Sequence, residues 1–380
     1  MSIQFKEQKP ALLERFGVYY LDLFRKKDSS TRAFDLSDAQ LSAVVRRISG
    51  KGILLSALTG LICVWPTIYV TVAGYWQQDA WWIRYAWLGA VNGICILIEF
   101  YLLFVIALRA VHEVSELINM RSHDADFLKS GPFSITNILS RAALEIQDPE
   151  WHILGIDPFK RVSKKNLLLL GLLYKCKIIL TNFVAKWILL HTAGPTIGGI
   201  SINYIALPVE CFWNGAVLLR VVKEARLRLF GFALCQELAD RILRDRTLQR
   251  LSPKGRDSCM RSIGNAVVLA RNYHPNMIVL ALRFQHLLHL HKDQRYDDWG
   301  LFLQALREVP AEERYFLLNL FTLAAAFDGR ISGVEAKNMR DAYGADYEHY
   351  RPRLMELTAA LHAGRLNEAA ALSKLDFTAG

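Results

Sequence analysis

The chain has 380 residues, of which 52% are hydrophobic and 22% charged, with a formal net charge of +10. Its mean hydropathy of +0.17 lies above that of a typical soluble chain, but it excludes a transporter that is nearly all membrane. Charges run through the first thirty residues, so no cleaved signal peptide is expected, and six cysteines without a C-x-x-C pair exclude a disulfide framework.

The N-terminal region, residues 1–51, is predicted to form cytoplasmic amphipathic helices. Apolar residues at helical spacing favour a helix over residues 10–27, which lies either on the inner leaflet or on the soluble part of the protein. A second helix is expected to begin near residues 35–40, where Ser37 and Gln40 have the spacing of a capping box.

Four apolar segments are each long enough to cross the hydrocarbon core of a bilayer, which takes about 20 helical residues. They pair into two hairpins, within residues 52–111 and 166–222. The segments are residues 52–75, 87–108, 167–190 and 196–219. The sequence therefore predicts an all-α membrane protein with four transmembrane helices.

The two hairpins share the polar frame N-x6-E-x9-R-x-V-x-E at an interval of 111 residues. Apolar segments share leucines by chance, but a polar frame that recurs without a gap indicates a tandem duplication. The equivalent positions are Asn92 and Asn203, Glu99 and Glu210, Arg109 and Arg220, Val111 and Val222, and Glu113 and Glu224.

Basic residues cluster before the first and third segments and after the fourth, whereas the two connecting turns carry little charge. By the positive-inside rule both termini are cytoplasmic, which predicts a multi-pass protein of a cell inner membrane in contact with lipid. The basic balance thus reflects membrane orientation, and no nucleic-acid partner is predicted.

Polar residues inside the apolar segments fall on shared helical faces. Central lysines are costly in a bilayer unless a carboxylate on a neighbouring helix neutralises them. One hypothesis is that these groups fix helix register and the contacts of a homo-oligomer. The other is that Glu99, Glu210 and Lys175 line a path for ions or protons. The residues concerned are Glu99, Glu210, Lys175, Lys177, Asn92 and Asn203.

The polar residues 112–165 are predicted to form a cytoplasmic linker with short helices, and residues 223–380 a cytoplasmic helical domain. The last apolar segment is expected to continue as a helix into that domain, because an apolar seam persists beyond residue 219. The seam consists of Leu227, Phe230, Leu234, Leu238 and Ile242. Sustained period-two alternation does not occur, so the domain is predicted to be all-α.

The most specific motif of the soluble part is A-A-A-F-D-G-R-I-S-G-V-E, residues 324–335. It predicts a helix that starts at Glu312 and stops at Gly329, which can adopt the left-handed conformation without strain. Ser332 is then expected to cap the next helix, with Glu335 completing an S-x-x-E capping box.

This motif resembles the TerB-like all-α domain of tellurite-resistance proteins, which also occurs in membrane-anchored DnaJ-type co-chaperones. That family repeats a helix followed by A-x-A-D-G-x-[IV]-[ST]-x-x-E. Here one half matches, with Phe327 at a usually small position, and the other half lacks the Asp-Gly turn. The resemblance covers roughly residues 235–345. It implies binding of a metal or partner by Asp328 and Glu335, although a turn and a cap explain the same residues.

His286, His289 and Asp293 form a second candidate site for a divalent metal, because they fall at i, i+3 and i+7 on one helical face. Histidines at the C-terminal end of a surface helix give the same pattern. The sequence has no P-loop, H-E-x-x-H motif or nucleophile elbow, so no enzyme is predicted.

The sequence thus predicts an inner-membrane protein that presents a cytoplasmic helical module to a protein partner, as a stress-response sensor or a scaffold. The alternative function is a small oligomeric channel or transporter that uses Glu99, Glu210 and Lys175. A metal-dependent hydrolase on the membrane is a third alternative.

Overall fold

A computed structural model describes residues 12–27, 36–72, 81–118, 128, 131–149, 153–158, 199–290, 295–331 and 333–378. Every regular element among these residues is helical, which confirms the all-α prediction. The helices of more than one turn are α1 (Leu12–Lys27), α2 (Asp38–Val72), α3 (Trp81–Ser115), α4 (Ile135–Ala143), α5 (Gly199–Arg244), α6 (Pro253–Ala270), α7 (Pro275–Leu288), α8 (Trp299–Glu308), α9 (Ala311–Ala326), α10 (Gly333–Tyr343), α11 (Tyr347–Ala363) and α12 (Leu366–Leu372).

Helices α2, α3 and the first half of α5 pack against one another, and we call them the apolar bundle. In the described part of the chain, two helices are long and apolar enough to cross a membrane, over Asp38–Val70 and Gly89–Ser115. Four such helices were predicted. The third predicted segment lies outside the described residues. The fourth is helical from Gly199, but it is not among the two, and the side chains of its first residues lie outside the described ones.

Helix α5 links the apolar bundle to the rest of the protein. It has 46 residues, which corresponds to about 69 Å at 1.5 Å per residue. All five apolar residues of the predicted seam beyond residue 219 are buried. The prediction that the last apolar segment continues as a helix is therefore confirmed, and one continuous helix connects the two regions.

The second half of α5 and helices α6–α12 share one hydrophobic core, and we call this region the body. Residues predicted to form a linker also contribute to that core, among them Leu128, Phe133 and Leu154. Helix α4 packs between α1 and α5. The described part of residues 112–165 therefore joins the body to the apolar bundle, because Leu139, Ala142 and Leu144 share a second core with Leu108 and Val222.

Helix α1 packs on α3 and α4, and Leu21 is buried there. The hydroxyl groups of Tyr20 on α1 and Tyr101 on α3 form a hydrogen bond, with their oxygens 2.7 Å apart. The opposite face of α1 leaves Leu12 and Tyr19 exposed. The predicted capping box of the next helix is confirmed. The amide of Ser37 donates to Oε1 of Gln40 at 3.0 Å, and the amide of Gln40 donates to Oγ of Ser37 at 3.4 Å.

Candidate functional site

A buried polar contact lies in the middle of the apolar bundle. Nδ2 of Asn214 on α5 donates to Oε1 of Glu99 on α3 at 2.6 Å, and the two residues are 4% and 8% exposed. Gly60 on α2 makes room for this contact, because a Cβ built on it would lie 2.7 Å from Nδ2 of Asn214. Three helices therefore meet at one hydrogen bond that is shielded from their surroundings.

Small residues on α2 allow α5 to approach closely at this point. Gly52, Ser56 and Gly60 recur every four residues, and a Cβ built on Gly52 would lie 2.5 Å from Cδ2 of Leu218. Ser56 is fully buried. Small residues at this spacing are typical of helix pairs packed in membranes. Sequence reasoning missed this stripe, although the spacing itself was visible.

The predicted intramembrane residues are only partly brought together. Asn92 accepts a hydrogen bond from Oγ1 of Thr67 at 2.7 Å, which joins α3 to α2. The backbone of Glu210 lies 3.4 Å from the Cβ built on Gly60, next to the Glu99–Asn214 contact. Lys175 and Lys177 lie outside the described residues, as does the side chain of Asn203. Pairing between lysine and carboxylate in the bundle stays a prediction.

The motif at residues 324–335 forms a tight turn against α5. Helix α9 ends at Ala326, and Gly329 has a φ of +70°, so the predicted left-handed glycine is confirmed. Oδ1 of Asp328 accepts a hydrogen bond from the amide of Arg330 at 2.9 Å. Glu335 is buried, whereas Ser332 lies outside the described residues and its capping role stays a prediction.

Asp328 faces a cavity of about 360 Å³ where the body meets the apolar bundle. Oδ2 of Asp328 accepts a hydrogen bond from Nδ2 of Asn272, which lies on the turn between α6 and α7. Four parts of the chain line the cavity. They are residues 141–148 on and after α4, residues 220–228 of α5, the turn Arg271–His274, and Asp328 with Arg330.

Ion pairs fill the inner wall of this cavity. Arg228 donates to Asp148 at 2.8 Å and to Glu224 at 2.8 Å. Nε of Arg141 donates to Asp148 at 3.1 Å. Arg220 pairs with Glu145 at the edge of the wall. Each of these carboxylates is therefore neutralised by an arginine of the protein itself.

These contacts shift the ionisation of the buried groups. Burial raises the pKa of Glu224, but His274 and the Arg228 guanidinium outweigh it and hold that pKa well below its usual range. Burial opposes the charge of Arg228, yet Asp148 and Glu224 raise its pKa. Burial also raises the pKa of Asp328, and the hydrogen bond from the Arg330 amide only partly offsets this increase. Glu224 and Arg228 thus stabilise the charged forms of each other, whereas burial disfavours the charged form of Asp328.

The predicted histidine site is described in part. His286 and His289 lie at the C-terminal end of α7 with ring centroids 6.4 Å apart, and Asp293 falls outside the described residues. Burial and the neighbouring His289 lower the pKa of His286. Within the described ranges, His, Cys, Asp and Glu side chains form no group of three that could hold a metal ion.

The sequence singled out Arg220 and Glu224 as repeat positions, but it did not show that they line a cavity with His274 and Asp328. These residues are far apart in the chain, so only the packing of α5 against two turns brings them together. Comparison of the chain with protein-family models, with curated proteins and with solved structures finds no match.

Proposed function

We propose that the chain is an integral protein of a cell inner membrane, with a cytoplasmic helical body that acts as a binding or sensing module. Large apolar side chains on the apolar bundle support the membrane part, because Ile62, Leu97 and Phe212 are 66%, 71% and 75% exposed. Only 28% of the most apolar stretch of each of the two long helices is buried, whereas the core helix of a soluble protein is mostly buried.

Contacts between residues near the two ends of the chain support the placement of both termini on the same side of the membrane. The backbone amides of Asn367 and Glu368, at the start of α12, donate to the two carboxylate oxygens of Asp38 at 2.9 and 3.0 Å. Asp38 begins α2, and the basic residues Arg46 and Arg47 follow about two turns later on the same helix. By the positive-inside rule this end of the bundle is cytoplasmic.

The single observation that carries the proposal is the continuity of α5. The same helix packs against α2 at Gly52 and Gly60, lines the cavity over residues 220–228, and ends within the core of the body. A ligand or partner that engages the body at the cavity therefore contacts the element that crosses the apolar bundle. Such a link suits a membrane-anchored sensor or scaffold.

Reporter fusions to the full chain test this arrangement. Green fluorescent protein fused after Gly380 should fluoresce, and alkaline phosphatase fused there should be inactive. Alkaline phosphatase fused after Gln78, at the first connecting turn, should be active. Active phosphatase at Gly380 would contradict the cytoplasmic placement of the body.

The alternative of an ion or proton path through Glu99, Glu210 and Lys175 stays a prediction. The described contacts favour a structural role for Glu99, since its carboxylate is buried against Asn214. Ion flux into liposomes that carry the wild type, Glu99→Gln or Glu210→Gln distinguishes the two roles. Flux that either substitution abolishes would favour the path.

A further inference from the structure

The cavity lies where α5 meets the turn Arg271–His274. Two of its cationic groups take no part in the ion pairs of the inner wall. Arg271 and Arg330 are exposed at its rim, and neither guanidinium makes an ion pair with a described residue. Arg271 ends α6 in the left-handed conformation, with a φ of +53°. The fold therefore holds two free guanidinium groups beside one opening.

His274 adds a buried polar group to the same wall. It is 9% exposed, and its Nδ1 has no hydrogen-bond partner among the described residues. Its Nε2 lies 3.8 Å from Oε1 of Glu224, which is too long for a hydrogen bond. A buried ring nitrogen without a partner is costly, and a ligand that hydrogen-bonds to it would remove this cost.

His274 directly precedes α7, which begins with Pro275, and the amides of Met277 and Ile278 donate to the His274 carbonyl. Recognition of a ligand in the cavity therefore falls to side chains. Arginine guanidinium groups match the oxygens of phosphate in geometry and charge.

The charges on the inner wall of the cavity are used by ion pairs within the protein. Five arginines and four carboxylates surround it. Three of the carboxylates, Glu145, Asp148 and Glu224, are engaged by arginines of the inner wall. The fourth, Asp328, is held by the Arg330 amide and Asn272. Arg141 also pairs with Glu14 behind the wall, so the charges around the cavity balance, and Arg271 and Arg330 are the lining arginines that make no ion pair with a described residue.

We propose that this cavity binds a phosphate-bearing anion, held by Arg271, Arg330 and His274. A volume of about 360 Å³ is within the range of small-molecule sites and accommodates more than the phosphate itself. The phosphate belongs either to a soluble ester or to a lipid headgroup. The lipid source rests on the proposed membrane location, since Arg220 at the cavity edge directly follows the apolar segment that ends at residue 219.

Binding to the purified full-length protein in detergent tests this proposal. Isothermal titration with glycerol 3-phosphate probes a soluble phosphate ester, and titration with short-chain dihexanoyl phosphatidylglycerol below its micelle concentration probes a headgroup. We expect saturable binding of at least one probe. The double variant Arg271→Asn with Arg330→Gln should weaken it by about tenfold or more, because two charge-assisted hydrogen bonds are lost.

A matched control keeps the loss of charge constant. Arg246 has a left-handed φ of +49° and Arg307 is exposed on α8, and neither makes an ion pair with a described residue or lines the cavity. Arg246→Asn with Arg307→Gln should bind like the wild type. Thermal unfolding of each variant in the same detergent verifies that it is folded, and His274→Gln should weaken binding in a folded protein.

The outcomes separate this proposal from that of membrane location. Tighter binding of glycerol 3-phosphate would support a site for a soluble phosphate ester. Binding of phosphatidylglycerol alone would support a site for a lipid headgroup. Absence of saturable binding by either probe would overturn it, as would equal weakening in the control double variant. None of these results depends on where reporter fusions place the body.

Discussion

The apolar bundle and the body differ in the side chains that they expose. In the bundle, Leu97 and Ile62 are exposed, while Glu99 and Asn214 are buried and bonded to each other. In the body, the buried side chains are mostly apolar and the exposed ones mostly charged. Apolar groups outside and polar groups inside are favourable in lipid and unfavourable in water. The contrast agrees with the proposal that lipid surrounds the bundle and water surrounds the body.

The boundary between the two regions shows the same contrast within the repeated frame R-x-V-x-E. In the first copy Arg109 donates to Glu113 at 3.0 Å on one helix. In the second copy Arg220 pairs with Glu145, and Glu224 pairs with Arg228 beside the cavity. Only the second copy faces the turns of the body. A repeated sequence therefore acquires its role from the elements packed against it.

The largest expected effect is at the most buried charge of the body. Arg141 is 1% exposed, and it donates to Glu14 at 2.7 Å, to Asp148 at 3.1 Å and to the carbonyl of Pro132. Arg141→Gln should lower the free energy of unfolding by about 3–5 kcal/mol, because two carboxylates lose a buried partner. Denaturant unfolding of the full chain in a mild detergent, followed by circular dichroism, measures it.

A surface ion pair provides the control for Arg141. Arg241 pairs with Glu237 one turn away on α5, and both side chains are partly exposed. Arg241→Gln should cost roughly 0.5 kcal/mol or less. Equal losses for Arg141→Gln and Arg241→Gln would show that the buried network does not stabilise the body.

A charge placed on the exposed face of the apolar bundle should be costly only if lipid surrounds that face. Leu97→Arg is expected to disfavour membrane insertion by about 2.5–3.5 kcal/mol on the insertion scale. Met355 is 54% exposed in the body, and Met355→Arg should change stability by less than about 0.5 kcal/mol. Flotation of membranes in a sucrose gradient measures the inserted fraction. Unchanged flotation of Leu97→Arg would count against a lipid-facing surface.

Two glycine substitutions should act with opposite signs within the bundle. Gly60→Ala forces a Cβ to within 2.7 Å of Nδ2 of Asn214 and should destabilise the packing of α2 on α5 by about 1–3 kcal/mol. Gly93→Ala meets no atom within 4 Å and should stabilise α3 by about 0.5–1 kcal/mol. Thermal unfolding in detergent compares them. A stabilising effect of Gly60→Ala would contradict the close approach.

The smallest expected effect is the pH dependence of stability at Glu224, which lies where the body meets the apolar bundle. The folded pKa of Glu224 is lowered, so its contribution to stability is complete above its ordinary pKa of 4.5 and is lost as the pH falls through the folded value. Glu224→Gln should therefore cost about 1–2 kcal/mol at pH 7, with the side chain 34% exposed, and less at pH 3. Unfolding at both pH values measures this, with Glu113→Gln as the control. A difference that grows on acidification would contradict the sign.

The helices could be predicted from the sequence better than the cavity. Periodic apolar residues and capping boxes depend on neighbours along the chain, so α1, the start of α2 and the continuation of α5 followed from spacing alone. The cavity depends on residues 141–148, 220–228, 271–274 and 328–330, which are separated by tens of residues. Their meeting depends on tertiary packing, for which one sequence contains no direct signal. The glycine stripe of α2 was readable but overlooked.

Extraction of membranes at alkaline pH tests the central claim, that lipid surrounds the apolar bundle, most directly. The unmodified full chain is expressed, and membranes are washed with carbonate at pH 11 and sedimented by ultracentrifugation. The account predicts that the chain stays in the pellet and enters the supernatant only when detergent is added. Release of the chain into the supernatant by carbonate alone would contradict it.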